Sequence, residues 1–262
     1  MKRAAQAWLI LWTALALFSP ILLGERAFEI DAARALEAPS IQHWFGTDSL
    51  GRDLLARVVA GSSVSLGIGA AAVALALFIG TWLGAVAGYF GGVRERTVLI
   101  LIDLFLCFPA FFLILAVMAV VGGNWWNLIW ILALTGWMGA ARLVRARVLS
   151  LREREFVLAA KALGAGNLRI LTRHVVPNAL GPVRVAAVLG VSNAILAEAG
   201  LSFLGIGVQP PTPSWGNLLL DAKAVLGAGW WMMLFPGAVI FLTVYFLNVL
   251  GEELSRERRT AS

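Results

Sequence analysis

One carboxylate and one amide lie in the same apolar segment, at about 180–200. Glu198 is near its end, and Asn193 precedes Glu198 by one and a half helical turns. Ionisable groups in hydrocarbon are costly unless they face protein or water. Both residues are therefore candidates for lining a polar pathway or its gate. For Glu198, a bond to the backbone at the base of the following loop is the other interpretation.

A second carboxylate, Asp103, falls early in another apolar run, at about 97–121. A charged group at this position needs an ionic partner. Arg142 and Arg145 lie near the end of a later apolar run and are the candidates. We expect Asp103 to be a structural charge within the membrane.

The loops lack the residue patterns of an enzyme. None of the three lysines follows a glycine, so the chain has no Walker A phosphate loop. The single cysteine, Cys107, excludes an intrachain disulfide, and no metal-ligand cluster is visible. No Ser/His/Asp or paired-carboxylate constellation appears. We expect no catalytic residue, no metal site and no cofactor in this chain.

The composition is that of a membrane protein. Of the 262 residues, 60% are hydrophobic and 14% are charged, with a mean hydropathy of +0.84, whereas soluble domains carry about 25% charged residues. A spanning helix needs about 20 apolar residues. The sequence predicts an all-α polytopic protein with about six spans, at 7–24, 64–90, 97–121, 126–147, 180–200 and 231–250.

The basic residues indicate the orientation of these spans. In this arrangement 16 of the 21 lysines and arginines fall on one side, which identifies the cytoplasm. Both termini and the loop at 148–179 are then cytoplasmic. The net charge of +6 thus reflects topology and contact with membrane lipid, and we expect no nucleic-acid partner. The remaining five are Arg26, Arg34, Arg52, Arg57 and Lys223.

The sequence predicts three regions along the chain. Residues 1–63 are expected to hold an anchor helix and an external segment ending in a short amphipathic interfacial helix. Residues 64–251 form the transmembrane core, and 252–262 a cytoplasmic tail. Within the core, prolines near 210 break the external loop at 201–230. Glycines at positions 80, 84 and 88 predict close packing against another helix, in this chain or in a partner.

The cytoplasmic loop keeps a helical pattern. Good helix formers cover 151–163, Gly164 ends that stretch, and a second stretch over 167–176 ends near Pro177. Small Ala159 and Ala160 lie beside the turn. This helix–turn–helix is either a docking element for another protein or a helix pair under the membrane, and the residues alone leave both open.

The loop resembles the EAA loop of permease subunits of ABC importers. Ala159, Ala160, Gly164 and Pro177 fall in register with that motif, whereas Leu158 replaces its glutamate. The resemblance implies that the loop couples to an ATPase. Glu155, one turn before Leu158, is the candidate to replace the missing carboxylate.

Motifs elsewhere resemble the dipeptide/oligopeptide/nickel permease family, in particular its second, dipeptide-permease-C-like subunit. They extend over about 41–250, roughly four-fifths of the chain. The strongest are Trp44-Phe45-Gly46-Thr47-Asp48, Ala87-Gly88-Tyr89-Phe90-Gly91-Gly92, Ala197-Glu198-Ala199-Gly200-Leu201-Ser202-Phe203-Leu204-Gly205 and Gln209-Pro210-Pro211-Thr212-Pro213-Ser214-Trp215-Gly216.

The resemblance implies a type I importer permease in a bacterial inner membrane. A homologous permease, two cytoplasmic ATPases that hold ATP and Mg²⁺, and an extracytoplasmic binding protein would be its partners. The residues expected on the surface toward that protein are Asp48, Arg52, Asp53 and Trp215. Few soft metal ligands are present, with no cysteine pair and His43 as the only histidine predicted to be external, and this favours di- or oligopeptide cargo. Nickel or a metal chelate is the alternative within the family, and a secondary transporter or channel is the alternative outside it.

Overall fold

The computed structural model describes residues 1–23 and 25–260, so the last two residues of the predicted tail lie outside it. The described chain is helical. Its α-helices are α1 (Lys2–Leu23), α2 (Leu54–Phe90), α3 (Gly92–Leu106), α4 (Ala110–Val121), α5 (Trp125–Leu151), α6 (Glu155–Ala162), α7 (Asn167–Ile170), α8 (Val176–Ala179), α9 (Gly181–Phe203), α10 (Trp215–Lys223) and α11 (Trp230–Thr260). A 3₁₀ turn covers Ala32–Arg34 and a π-helical turn Leu171–Val175.

Five of the described helices are long and apolar enough to cross a membrane, and the number is six when the bent pair α3–α4 is counted as one span. The prediction of about six spans is confirmed. The third span is not the straight helix expected at 97–121, because α3 and α4 meet at 81°. Pro109 lies at this break; it has no N–H to donate, and its ring disfavours a helical conformation in the residue before it.

The second span also differs from the expected one. A separate interfacial helix was predicted before residue 64, but α2 continues unbroken for 37 residues from Leu54. Asp53 begins it by accepting a hydrogen bond from Ala56 N–H at 2.8 Å. The apolar face of this first part is buried, since Leu54 and Val58 are both 0% exposed. It therefore packs on protein rather than lying on the lipid surface.

The glycines at 80, 84 and 88 pack against α5 of the same chain. A Cβ atom on Gly84 would lie 2.4 Å from the carbonyl oxygen of Ala141, and one on Gly80 would lie 2.5 Å from that of Trp137. Only hydrogen fits between the two backbones. The α2–α5 pair is thus the close-packed centre of the helix bundle.

Two further contacts fix the ends of the bundle. Lys2, at the start of α1, forms an ion pair with Glu257 near the end of α11, so these two helix ends lie next to each other. At the opposite side, α10 interrupts the loop at 201–230. A capping box formed by Ser214 and Asn217 begins α10 after the prolines.

Candidate functional site

An open groove of about 370 Å³ runs between α2, α4, α5 and α9. Its polar side chains are Asn193 of α9 and Thr135 of α5, and no charged residue lines it among the described residues. The rest of its wall is small or aliphatic: Ala72, Val73, Ala76, Leu77, Ile114, Leu132, Gly136, Gly139, Ala140, Ala186, Leu189, Gly190, Ala194 and Ala197. Small residues from three helices thus leave a lengthwise depression in the bundle.

Asn193 lies near the middle of α9 and is exposed in the groove. The side-chain amide of Asn193 has no hydrogen-bond partner in the described part of the chain. An unsatisfied amide facing hydrocarbon costs several kcal/mol. This face of α9 is therefore suited to water or another protein rather than to lipid.

Thr135 was not among the residues singled out from the sequence. Its hydroxyl donates to the carbonyl of Ile131 at 2.8 Å, which leaves oxygen lone pairs free on the groove side. In the sequence, Thr135 is a single threonine in an apolar helix. The adjacent small residue Gly136 was the one sequence feature that could have indicated an open surface there. Only the approach of α9 to α5 makes the two residues part of one surface.

Glu198 does not line the groove with Asn193. It is 0% exposed, and its carboxyl accepts hydrogen bonds from Ser65 at 2.9 Å and Ser202 at 2.8 Å. Five positions along an α-helix correspond to a rotation of about 140° beyond one full turn. The two residues grouped from the sequence therefore face different surroundings.

Asp103 has the partner expected from the sequence. Arg142 Nη2 donates to its Oδ1 at 2.7 Å, and Arg145 instead contacts Glu95, with 2.8 Å from Nε to Oε1. The Asp103 side chain remains 68% exposed. Both pairs link α3 to α5.

The loop at 148–179 forms the predicted helix–turn–helix with shifted boundaries. The first helix does not begin at 151, because α5 extends to Leu151 and a turn precedes α6 at Glu155. The second does not end at Pro177. A π-helical turn just before Pro177 provides the extra width that its ring needs, and the chain stays helical to Ala179.

Gly164 turns the chain between α6 and α7 with φ of +79°. On the inner face, Val157 and Ile170 are completely buried against the bundle. Tyr89 of α2 donates a hydrogen bond of 3.2 Å to Asn167. The helix pair is therefore attached to the end of α2.

The outer face of this helix pair is apolar and uncovered. Its large exposed residues are Phe156 at 42%, Leu158 at 52%, Leu163 at 89% and Leu168 at 68%. Glu155 and Ala159 are exposed beside them, and Ala160 is half-buried. Pro177 is exposed further along. An apolar patch of this kind on a solvent-facing loop indicates an interaction surface.

The residues expected on the external surface are largely internal. Trp215 is 0% exposed, and its indole N–H donates to the Val58 carbonyl at 3.0 Å. Asp48 is also 0% exposed. Asp53 caps α2 and contacts His43 Nδ1 at 2.8 Å. The sequence therefore predicts a surface position for two residues that the structure buries: Trp215 packs on α2 from the proline-containing loop, and Asp48 is enclosed in the segment before α2.

Asp48 is the centre of a charge network. Its Oδ2 accepts hydrogen bonds from Arg57 at 2.6 Å and from Arg52 at 2.7 Å, and Arg57 also donates to Asp221 of α10 at 3.1 Å. Burial opposes ionisation of Asp48. The Arg57 guanidinium, the backbone N–H groups of Arg52 and Leu50, and the Arg52 guanidinium outweigh this cost and lower the pKa of Asp48.

Comparison with known proteins identifies the architecture. The profile of the family described as "Binding-protein-dependent transport system inner membrane component" matches residues 80–259. The chain is 42% identical to the dipeptide transport system permease protein DppC of Alkalihalophilus pseudofirmus, covering 92% of this chain and 79% of that one. It is 41% identical to the oligopeptide transport system permease protein OppC of Mycobacterium bovis, covering 96% and 87%.

A solved structure shares the fold. The inward-facing MetNI methionine ABC transporter superposes with a TM-score of 0.61 at 19% identity, covering 78% of this chain and 95% of that one. The prediction of an ABC importer permease fold is therefore confirmed, and a secondary transporter or channel is not supported. The chain belongs to the family of inner membrane components of binding-protein-dependent transport systems.

Proposed function

We propose that this chain forms half of the translocation pathway of an ATP-driven importer for di- and oligopeptides. The observation that carries the proposal is its identity of 42% and 41%, over more than nine-tenths of its length, to permeases named for dipeptide and oligopeptide transport. These relatives do not favour nickel or a metal chelate as cargo. The groove, with uncharged walls, suits peptides whose side chains differ in charge.

The groove supports a second, homologous permease as the partner. It is open along one side of a single chain, and Asn193 in its wall requires water or protein opposite. A similar subunit facing this side would enclose a pathway between the two chains. An extracytoplasmic binding protein would deliver peptide to its outer end.

The cytoplasmic loop supports coupling to two ATPase subunits, which would hold ATP and Mg²⁺. The exposed apolar residues around Gly164 give each ATPase a surface to dock on. Buried Val157 and Ile170 join that surface to the bundle. Closure of the ATPase pair would then move the helices over 151–177 as a lever and switch access to the pathway.

The proposed orientation places both termini and the 148–179 loop in the cytoplasm. The ion pair of Lys2 with Glu257 supports a common side for the two ends, and the excess of basic residues there identifies that side as the cytoplasm. The network around Asp48, together with α10, then faces the outside. Arg52 and Asp53, partly exposed at 12% and 26% of their side chains, remain candidates for contact with the binding protein.

The test is to co-purify the ATPase subunits with this permease from the assembled importer. Leu163→Asp should sharply reduce the ATPase recovered, because it places a charge in the centre of the apolar patch. Leu50→Asp is the matched control, since Leu50 is an exposed leucine on the opposite side. Unchanged recovery with Leu163→Asp contradicts docking at this loop. Failure of the wild-type importer to move peptides with its binding protein and ATP contradicts the function itself.

A further inference from the structure

The buried carboxyl of Glu198 joins two helices through serine hydroxyls. Ser65 of α2 donates to its Oε2 at 2.9 Å, and Ser202 of α9 donates to its Oε1 at 2.8 Å. No lysine or arginine within the described ranges lies close enough to form an ion pair with it. Both carboxyl oxygens are thus engaged away from the groove, which Glu198 does not line.

Each of the two serines also accepts a hydrogen bond from the backbone of the outer loop. Val208 N–H donates to Ser202 Oγ at 3.0 Å, and Trp215 N–H donates to Ser65 Oγ at 3.1 Å. A hydroxyl has one proton and two lone pairs. Because each serine donates its proton to Glu198, its lone pairs can accept the backbone N–H of the loop.

These two bonds hold the opposite ends of the segment 208–215. The tip between them, residues 209–211, is exposed. Thr212 lines a recess of about 330 Å³ together with Ser63 of α2 and Trp125 at the start of α5. The segment therefore lies at the outer end of the bundle, between α2 and α5, which also form walls of the groove.

We propose that Glu198 is a positioning residue that fixes the segment 208–215 at the outer end of the pathway by orienting Ser65 and Ser202, without touching the cargo. This inference rests on the proposed function, in which peptide enters at that end. In this hydrogen-bond relay, Glu198 serves as the common acceptor: Ser65 and Ser202 connect it to the two ends of the segment, and Ser214 within the segment also hydrogen-bonds to it.

The relay predicts a specific pattern of amide hydrogen exchange in the assembled importer, measured by mass spectrometry with residue-level fragmentation. Ser65→Ala should speed exchange at Trp215 only, and Ser202→Ala at Val208 only. Glu198→Ala should speed both, each by about 10-fold, the effect of losing one hydrogen bond. Glu198→Gln keeps one acceptor oxygen and should preserve protection at one of the two amides.

Ser192→Ala is the matched control, because Ser192 is also buried in α9 but its hydroxyl contacts only the Val188 carbonyl, at 3.5 Å. It should leave both amides protected. Peptide import should fall in Glu198→Ala, and adding this change to the Ser65→Ala/Ser202→Ala double variant should reduce import little further. If Glu198→Ala prevents assembly, the two serine variants and Glu198→Gln still test the pattern.

Unchanged exchange at Val208 and Trp215 in both Glu198 variants overturns the inference. So does a Glu198→Gln variant that changes KM according to peptide charge while both amides stay protected, because that result makes Glu198 a cargo contact. An importer that exchanges as expected but does not transport peptides leaves the relay intact and contradicts the proposed function instead.

Discussion

Arg57 donates a hydrogen bond of 2.6 Å to Asp48, and both side chains are almost completely buried, at 3% and 1% exposure. Arg57 is in the first turn of α2, Asp48 is in the segment before it, and Asp221 of α10 contacts the same guanidinium at 3.1 Å. One buried arginine thus holds together this segment, α2 and α10. The position of α10 depends on this contact as well as on the loop anchors near Trp215.

Asp48→Asn should destabilise the chain by about 3 kcal/mol, because it leaves a buried guanidinium without its main counter-charge. The measurement is the free energy of unfolding in mixed detergent–lipid micelles. Asp31→Asn is the control, since the Asp31–Arg34 pair is about half exposed and separated by 3.4 Å. Its loss should cost less than about 1 kcal/mol. Equal effects of the two substitutions would contradict a central role for Asp48.

The lowered pKa of Asp48 predicts destabilisation in acid. A carboxyl whose pKa is lower in the folded state stabilises the fold above its unfolded pKa of about 3.9. That contribution is lost as the pH falls from there through the folded pKa. Unfolding midpoints measured between neutral pH and about pH 3 should show this loss in the wild type and a smaller one in Asp48→Asn. The same acid dependence in both proteins would assign it to other carboxyls.

Gly84→Ala should disrupt the α2–α5 contact. The new methyl group would lie 2.4 Å from the carbonyl oxygen of Ala141, so the helices must separate. Overpacking of this kind costs about 1–3 kcal/mol. Gly67→Ala in the same helix is the control, because no atom lies within 4 Å of its added methyl. It should be neutral or slightly stabilising, and equal unfolding free energies for both variants would exclude tight packing at Gly84.

Gly164→Ala should impair peptide-stimulated ATP hydrolysis and import together. Its φ of +79° is unfavourable for a residue with a Cβ, by about 1–2 kcal/mol. Gly166→Ala is the control, since Gly166 has φ of −65° and both glycines have open space around them. If transport and stimulated ATPase activity both persist in Gly164→Ala, and in a bulkier variant, the turn is not part of the lever.

Asn193→Leu should reduce import by about 10-fold, the effect of one lost hydrogen bond, without lowering the free energy of unfolding. The amide has no partner within the described chain, so its loss removes no internal contact. Asn248→Leu is the control: Asn248 also lies in a spanning helix, but its amide bonds to the Val244 carbonyl at 2.8 Å and does not line the groove. Wild-type import by Asn193→Leu would remove Asn193 from the pathway.

The sequence by itself determined the features that depend on neighbouring residues. The thickness of the bilayer requires runs of about 20 apolar residues, so the approximate number of spans could be predicted from the sequence. The helix break at Gly164 could also be predicted from the sequence, because a glycine allows a positive φ. A charge in this setting requires a partner, so the sequence predicted Arg142 or Arg145 for Asp103, and the structure selects Arg142.

Only the tertiary structure decided which surfaces these elements share. Asn193 and Glu198 are five residues apart, yet one lines a groove and the other holds serines of two helices, because neighbouring helices cover only one side of α9. Trp215 belongs to a proline-containing loop that the sequence predicts at the surface. It is buried because its indole N–H bonds to the Val58 carbonyl and its backbone N–H bonds to Ser65. The burial of Trp215 depends on contacts with residues 150 and 157 positions away, which the neighbouring sequence does not reveal.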